Sequence, residues 1–157
     1  MIVRRAREED IDRILLLTDM VADKHGQARG DILREHPYHI QKAKLCRDIA
    51  SPHHIPLAAE EDGEIIGIVL CSCRRYEGDP KYRDGEVMSI EDTCVHPEYR
   101  GRGVGSALLT AAAAAARERG CCRMESNVWA FNEESLAFFR GNGFSIQKMT
   151  MECAIHE

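Results

Sequence analysis

The order of elements along this chain predicts an α/β fold. One strand is followed by two helical regions, three strands, a helix, a strand, a helix and two closing strands. Three observations carry that reading. Ile11, Ile14, Leu15 and Leu17 or Thr18 recur at helical spacing near the start. Asp62-Gly63 lies between two apolar runs, a hairpin signal. The strand-like run Val87-Met88-Ser89-Ile90-Glu91-Asp92-Thr93-Cys94-Val95 leads through a turn into Arg100-Gly101-Arg102-Gly103-Val104-Gly105, which opens an alanine-rich helix.

Each element has its own justification. Residues 2–5 read as the first strand and 8–21 as an amphipathic helix, with a break at 26–30. Residues 31–49 read as a second helical region. It is interrupted at His36-Pro37, because proline disfavours helix at the residue before it, and is closed by Ser51-Pro52. Residues 55–60 and 64–76 form the hairpin arms, and 78–85 is a polar loop. His96-Pro97-Glu98-Tyr99 is a turn. The following helix runs to about residue 119, a strand covers 121–128, and a helix runs from Asn132 to about 141. Residues 144–147 and 149–155 read as two short strands, for about seven strands in all. No repeat, low-complexity tract or linker divides the chain, so residues 1–157 are expected to form a single domain.

Composition narrows the function. Hydrophobic residues make up 44% and charged residues 30%, ordinary for a globular domain. The formal charge of −5 argues against a general nucleic-acid binder and suits a cationic partner such as an amine. No apolar leader follows Met1 and no run is long enough to span a membrane, so the expectation is a cytoplasmic protein. Cys46, Cys71, Cys73, Cys94, Cys121, Cys122 and Cys153 form an odd set without a C-x-x-C pair. That usage points to free thiols in a reducing compartment, with no disulfide and no zinc. His53 and His54 are adjacent and lack a partner motif, which adds nothing in favour of a metal.

The glycine-rich segment carries the chemistry. Its glycines uncover backbone N–H groups, and the helix N-terminus adds partial positive charge, so the segment is a cradle for phosphate or pyrophosphate. The order R-G-R-G-V-G is not the G-x-G-x-x-G of a dinucleotide turn, and no lysine precedes Ser106 as a P-loop requires. An unliganded glycine-rich turn and a phosphate-binding protein of unrelated fold are the alternatives on the loop alone.

The Arg-x-x-Gly-x-Gly pattern at Arg100 to Gly105 resembles the pyrophosphate loop of the GNAT N-acetyltransferase superfamily. Asn132-Glu133-Glu134-Ser135-Leu136-Ala137-Phe138-Phe139-Arg140-Gly141-Asn142-Gly143-Phe144 resembles that superfamily's second signature, about 30 residues later. Glu91-Asp92-x-x-Val95 followed by Tyr99-Arg100-Gly101-x-Gly103-x-Gly105-Ser106 looks like the spermidine/spermine acetyltransferase branch. The resemblance implies a mixed central sheet with helices on both faces and transfer of an acetyl group from acetyl-CoA to an amine by direct attack. A small cationic acceptor is favoured over a protein amine. It also allows a homodimer. The functional rival is a non-catalytic acyl-CoA-binding or sensing module.

By that resemblance, backbone groups of Thr93, Cys94 and Val95 bind the pantetheine arm and thioester, with the Val95 N–H as the oxyanion donor. The amides of Gly101, Arg102, Gly103, Val104, Gly105 and Ser106 receive the phosphates, with charge added by Arg100 and Arg102. A solvated surface role for Arg102 is the alternative. Asn132 bonds the pantetheine arm, and it also suits a helix N-cap. Ser135 and Phe139 complete the coenzyme contacts. Glu91 is the candidate general base or amine-orienting carboxylate, with Asp92 in reserve. Cys94 as a nucleophile lacks an adjacent activating His or Asp in the sequence.

One departure stands out. The superfamily often places a tyrosine at the second position of the aromatic pair, as the acid for the leaving thiolate, and this chain has Phe139 there. Phenylalanine has no proton to give. Water, Ser135, or a loop tyrosine (Tyr38, Tyr76 or Tyr82) is left for that role, or the protein transfers slowly. The acceptor pocket implied by the fold is lined by the first two helices, the loop holding Tyr76 and Tyr82, and the final strands. His25, His36 and His39 fall in the early part of it. Trp129 and Phe131 read as packing residues.

Overall fold

The computed structural model describes residues 1–34 and 42–155. The expectations placed on His36, Pro37, Tyr38 and His39 lie outside the described residues. The chain divides into two compact units, Met1–Asn127 and Val128–Glu157.

The first unit holds β1 (Ile2–Arg5), a 3-10 turn (Glu8–Asp10), α1 (Ile11–Ala28), α2 (Lys42–Ala50), β2 (His54–Glu61), β3 (Glu64–Tyr76), β4 (Gly85–Val95), a second 3-10 turn (Pro97–Tyr99), α3 (Val104–Glu118) and β5 (Cys121–Ser126). The strands form one sheet in the order β1-β2-β3-β4-β5. Neighbours are antiparallel except β4 and β5, which run parallel, so the sheet is mixed. Asp62 (φ 52°) and Gly63 (φ 82°) both adopt positive φ. That is the conformation a two-residue hairpin turn needs to follow the strands' twist.

β3 is central, and residues 65–71 are buried without interruption. Such a run belongs to a strand covered on both faces. On one face Ile11, Ile14 and Leu17 of α1 and Leu45 of α2 join Ala58, Ile65, Ile68, Leu70 and Cys94. Gly67 points the other way. A Cβ built there would lie 3.0 Å from Val104 Cγ1 and 3.2 Å from Leu108 Cδ1, so α3 packs on the opposite face. Helices therefore cover both faces of the sheet.

Arg4 ties the edge together. Its guanidinium donates to both carboxylate oxygens of Asp10 at 2.7 and 2.9 Å and to Glu60 Oε2 at 2.6 Å. Asp10 also accepts from the Arg7 N–H at 2.7 Å, closing the 3-10 turn ahead of α1. α1 itself continues through Gly26 to Ala28, about two turns beyond the expected end. Gly26 is buried, and a mid-helix glycine costs only about 1 kcal/mol against alanine, which packing can outweigh.

The second unit contains α4 (Glu133–Gly141). Its end is a Schellman motif. The Phe144 N–H donates to Phe139 O at 3.0 Å, the Gly143 N–H donates to Arg140 O at 3.0 Å, and Gly143 has φ 86°. The Phe139 and Phe144 rings meet edge to face at 5.1 Å, the apolar contact that accompanies this motif.

The sheet has five strands among the described residues, not about seven. The strands expected at 144–147 and 149–155 are absent there, and Ile146, Met149, Met151 and Ile155 are exposed. Alternating apolar residues supply a strand with one face. They do not supply the neighbouring backbone that its N–H and C=O groups require.

Candidate acyl-coenzyme and amine site

The site grows from the far end of β4. Leu70 faces Asp92 and Cys71 faces Ile90, so Glu91 is the extra residue of a β-bulge. Bulges bend a strand and re-aim the side chain they carry. Pairing with β5 also stops here, at Ile90 and Ser126. From that point β4 keeps only β3 as a strand partner among the described residues. The His96 N–H donates to Ile66 O at 2.9 Å. By the two-residue alternation of an antiparallel pair, Cys94 and Asp92 turn their amides to β3. Thr93 and Val95 turn theirs to the side β5 has left. Val95 O accepts from Arg100 Nε at 3.1 Å. Thr93 Oγ1 is buried with no hydrogen-bond partner among the described residues.

Beyond the Pro97–Tyr99 turn, Gly101 (φ 72°) and Gly103 (φ 81°) hold left-handed conformations that a side chain would strain. Gly103 is the N-cap of α3 and provides no side-chain cap. The first intrahelical bond runs from the Ala107 N–H to Gly103 O at 3.0 Å. The amides of Val104, Gly105 and Ser106 thus form the uncapped positive end of a 15-residue helix. Arg102 lies 2.8 Å from Glu61 Oε2 and 5.0 Å over the Tyr99 ring, and is half exposed.

Glu91 opens onto a small cleft lined by Leu45 and Asp48 of α2, His54 and Pro56 of β2, and Leu70 and Cys71 of β3. Asp48, His54 and Glu91 each bring a ligand-capable atom within 4.8 Å of the others. His54 Nε2 is 3.6 Å from Asp48 Oδ1, and His54 Nδ1 is buried without a hydrogen-bond partner among the described residues. Lys44 Nζ holds the same Asp48 at 2.5 Å through Oδ2. Arg5 fixes this corner by donating to the carbonyls of Ile49, Ser51 and His54 at 3.4, 3.2 and 2.8 Å. Asp48 and His54 were not singled out for catalysis in the sequence, because they come from separate elements and share no spacing motif with Glu91.

Burial pushes the Asp92 carboxyl up, Glu91 adds to the shift and Lys44 opposes it. Burial likewise pushes the Cys94 thiol up to about 11. A thiol of that kind is a poor nucleophile near neutrality, which weighs against Cys94 as an acyl carrier. Tyr76 and Tyr82 of the β3–β4 connection pack with ring centroids 4.8 Å apart. Burial, with Lys24 adding to it, lowers the pKa of His25.

In the second unit, Asn132 is buried and its Oδ1 accepts from the Ser135 N–H at 3.2 Å, capping α4. Phe139 is buried and meets Phe138 edge to face at 5.2 Å. Trp129 and Phe131 stack at 6.0 Å.

Here a strand parts from its neighbour and then feeds a glycine loop and an uncapped helix N-terminus. The chain belongs to the Acetyltransferase (GNAT) family, whose model matches residues 17–144. The fold is shared with solved proteins. The BH1408 protein from Bacillus halodurans is similar at a TM-score of 0.94 and 24% identity, over 99% of this chain and 100% of that one. Aminoglycoside N-acetyltransferase AAC(6')-Iy, solved in complex with CoA, is similar at a TM-score of 0.72 and 19% identity, over 99% of each chain. Aminoglycoside 6'-N-acetyltransferase AAC(6')-IG from Acinetobacter haemolyticus is similar at 0.72 and 20%, over 100% and 99%. No helix among the described residues is long and apolar enough to cross a membrane.

Proposed function

We propose that this protein is an N-acetyltransferase moving the acetyl group of acetyl-CoA to the amine of a small cationic acceptor. One observation carries the reading. The Thr93 and Val95 backbone is turned to the side that β5 has left, and it leads straight into the uncapped N-terminus of α3. The donor substrate spans that length. The amides of residues 101–106 receive its phosphates, with Arg100 beside them, and the Thr93 and Val95 backbone receives the arm and thioester. Asn132, Ser135 and Phe139 are further coenzyme contacts by family resemblance. Residues 1–157 act as one domain in this reading, and seven free thiols suit a cytoplasmic setting.

Glu91 takes the proton from the acceptor ammonium, whose pKa is about 10 for a simple alkylamine. His54 and Asp48 lie beside it and pass that proton onward. The freed amine nitrogen then attacks the thioester carbonyl carbon. The Val95 N–H donates to the oxygen as it gains negative charge. The C–S bond breaks as the new C–N nitrogen gives up a second proton to water, leaving a neutral amide, and the coenzyme leaves as thiolate. A thiol has a pKa of about 8.5, so water suffices to protonate the leaving sulfur where the family's tyrosine is replaced by Phe139.

The two carboxylates of the cleft, Asp48 and Glu91, support a cationic acceptor, and two similar folds belong to enzymes named for aminoglycosides. The second reading is an acyl-CoA-binding module without turnover. Phe139 favours it, being packed among Phe138 and Phe144 with no acid to offer. Calorimetric titration with acetyl-CoA, followed by free-thiol release across polyamines, aminoglycosides, amino acids and lysine peptides, tests both. Binding with thiol release is expected. Binding without release from any amine favours the module, and absence of binding removes both readings.

A further inference from the structure

A second cluster lies at the other end of the sheet. Cys73 is on β3, Glu86 is the second residue of β4 and Cys121 begins β5. The two sulfurs are 3.9 Å apart, and one carboxylate oxygen of Glu86 completes a set within 4.8 Å. All three residues are half-buried. We propose that Cys73, Glu86 and Cys121 form a binding site for a zinc-like divalent cation, stapling β3, β4 and β5 where the sheet is farthest from the phosphate loop.

The geometry excludes a disulfide and, beside a thiol–thiol hydrogen bond, is open to a cation. A disulfide holds its sulfurs about 2.05 Å apart, far closer than these. Two thiolates on a tetrahedral zinc, each about 2.3 Å from the metal, stand about 3.8 Å apart. That is the separation observed. The third donor comes from the strand lying between the two cysteine-bearing strands, so the three can converge on one point. Two sulfurs and one carboxylate leave the fourth tetrahedral position to water.

The charges and protons balance. Two thiols lose their protons to solvent as the cation binds, and the carboxylate joins them, giving a complex of net charge −1. The cost is real, because burial and Cys73 push the Cys121 thiol up to about 11, while the Arg119 charge opposes this. Arg119 is anchored nearby by donating to Pro52 O. Cys73 is anchored as well, its N–H donating to His53 O at 2.8 Å. Glu86 and Val95 are nine residues apart on one strand, roughly 30 Å at 3.3 Å per residue. The cluster is therefore remote from the proposed acetyl-transfer site, and its test is separate from that of acetyl transfer.

The experiment uses the full chain, reduced and free of oxygen, titrated with Co²⁺ and then with Zn²⁺. The expected result is one equivalent of Co²⁺ with a sulfur-to-cobalt charge-transfer band and the visible bands of tetrahedral cobalt, both erased by Zn²⁺. Zn²⁺ should raise the Tm in proportion to its binding. Cys73→Ser and Cys121→Ser should lose the band, Glu86→Gln should shift and weaken it, and Cys122→Ser and Cys153→Ser should keep it. No charge-transfer band in the unaltered protein overturns the proposal. So does a band that survives both Cys73→Ser and Cys121→Ser.

Discussion

Glu91 owes its position to a single inserted residue. Without the bulge, strict alternation would set its side chain by the pleat alone, and the opening beyond Ile90 would begin elsewhere. Glu91→Gln keeps the shape and removes the proposed base. Turnover with the best amine is expected to fall by about 100-fold or more, with acetyl-CoA affinity unchanged. A variant of unaltered turnover, followed by thiol release, would move the base to Asp92 or to water. Asp10 acts on stability instead. The Arg4 guanidinium holds its carboxyl below the ordinary range, so the unfolded chain binds that proton more readily than the folded one. The pair's contribution is therefore complete above the ordinary aspartate pKa of 3.8 and is lost as pH falls through the lower folded value. Denaturant titrations below pH 5 should show this acid limb, and Asp10→Asn should flatten it. An equally steep limb in the variant would assign the loss to other carboxylates.

At the scale of elements, α3 reaches the sheet because β3 carries glycine at position 67. Gly67→Val puts carbon where Val104, Leu108 and Cys94 O already stand at 3.0–3.2 Å. The expected cost is about 1–3 kcal/mol, the usual range for overpacking. The displaced end of α3 is also the proposed phosphate cradle, so acetyl-CoA affinity should fall together with Tm. A loss of stability with intact affinity would show that the loop is positioned independently of β3. The strand–loop–helix that makes this cradle was legible in the sequence, because glycines 101 and 103 mark a local conformation. So was α4, for a different reason. The Asn132 and Gly143-Phe144 ends of the second motif are a helix cap and a Schellman stop, and both are local signals. That the two expected closing strands are absent was not legible, since a strand is defined by its neighbour and alternation records only one face. The Asp48–His54–Glu91 cleft and the Cys73–Glu86–Cys121 cluster escaped for a related reason. Each draws its members from three elements, and no spacing along the chain encodes that meeting.

The whole molecule carries a formal charge of −5, yet its site is polarised. Asp48 and Glu91 line the proposed acceptor cleft, whereas Arg100 and Arg102 stand at the proposed phosphate loop. A protonated polyamine is attracted by the protein's overall field and by the cleft, and a neutral competitor by neither. Screening acts on the long-range part of this attraction. The Debye length falls from about 30 Å at 0.01 M salt to about 8 Å at 0.15 M, shorter than the molecule is wide. The acceptor KM for a di- or triamine should therefore rise over that range, while kcat stays constant, because the chemical step depends on groups already in contact. A monoamine of matching length should show a smaller rise. Steady-state kinetics at saturating acetyl-CoA read both numbers directly. Equal salt dependence for all amines would mean that shape selects the acceptor rather than charge. A change confined to kcat would place the sensitive ion pair within the reacting groups, between the ammonium and Glu91.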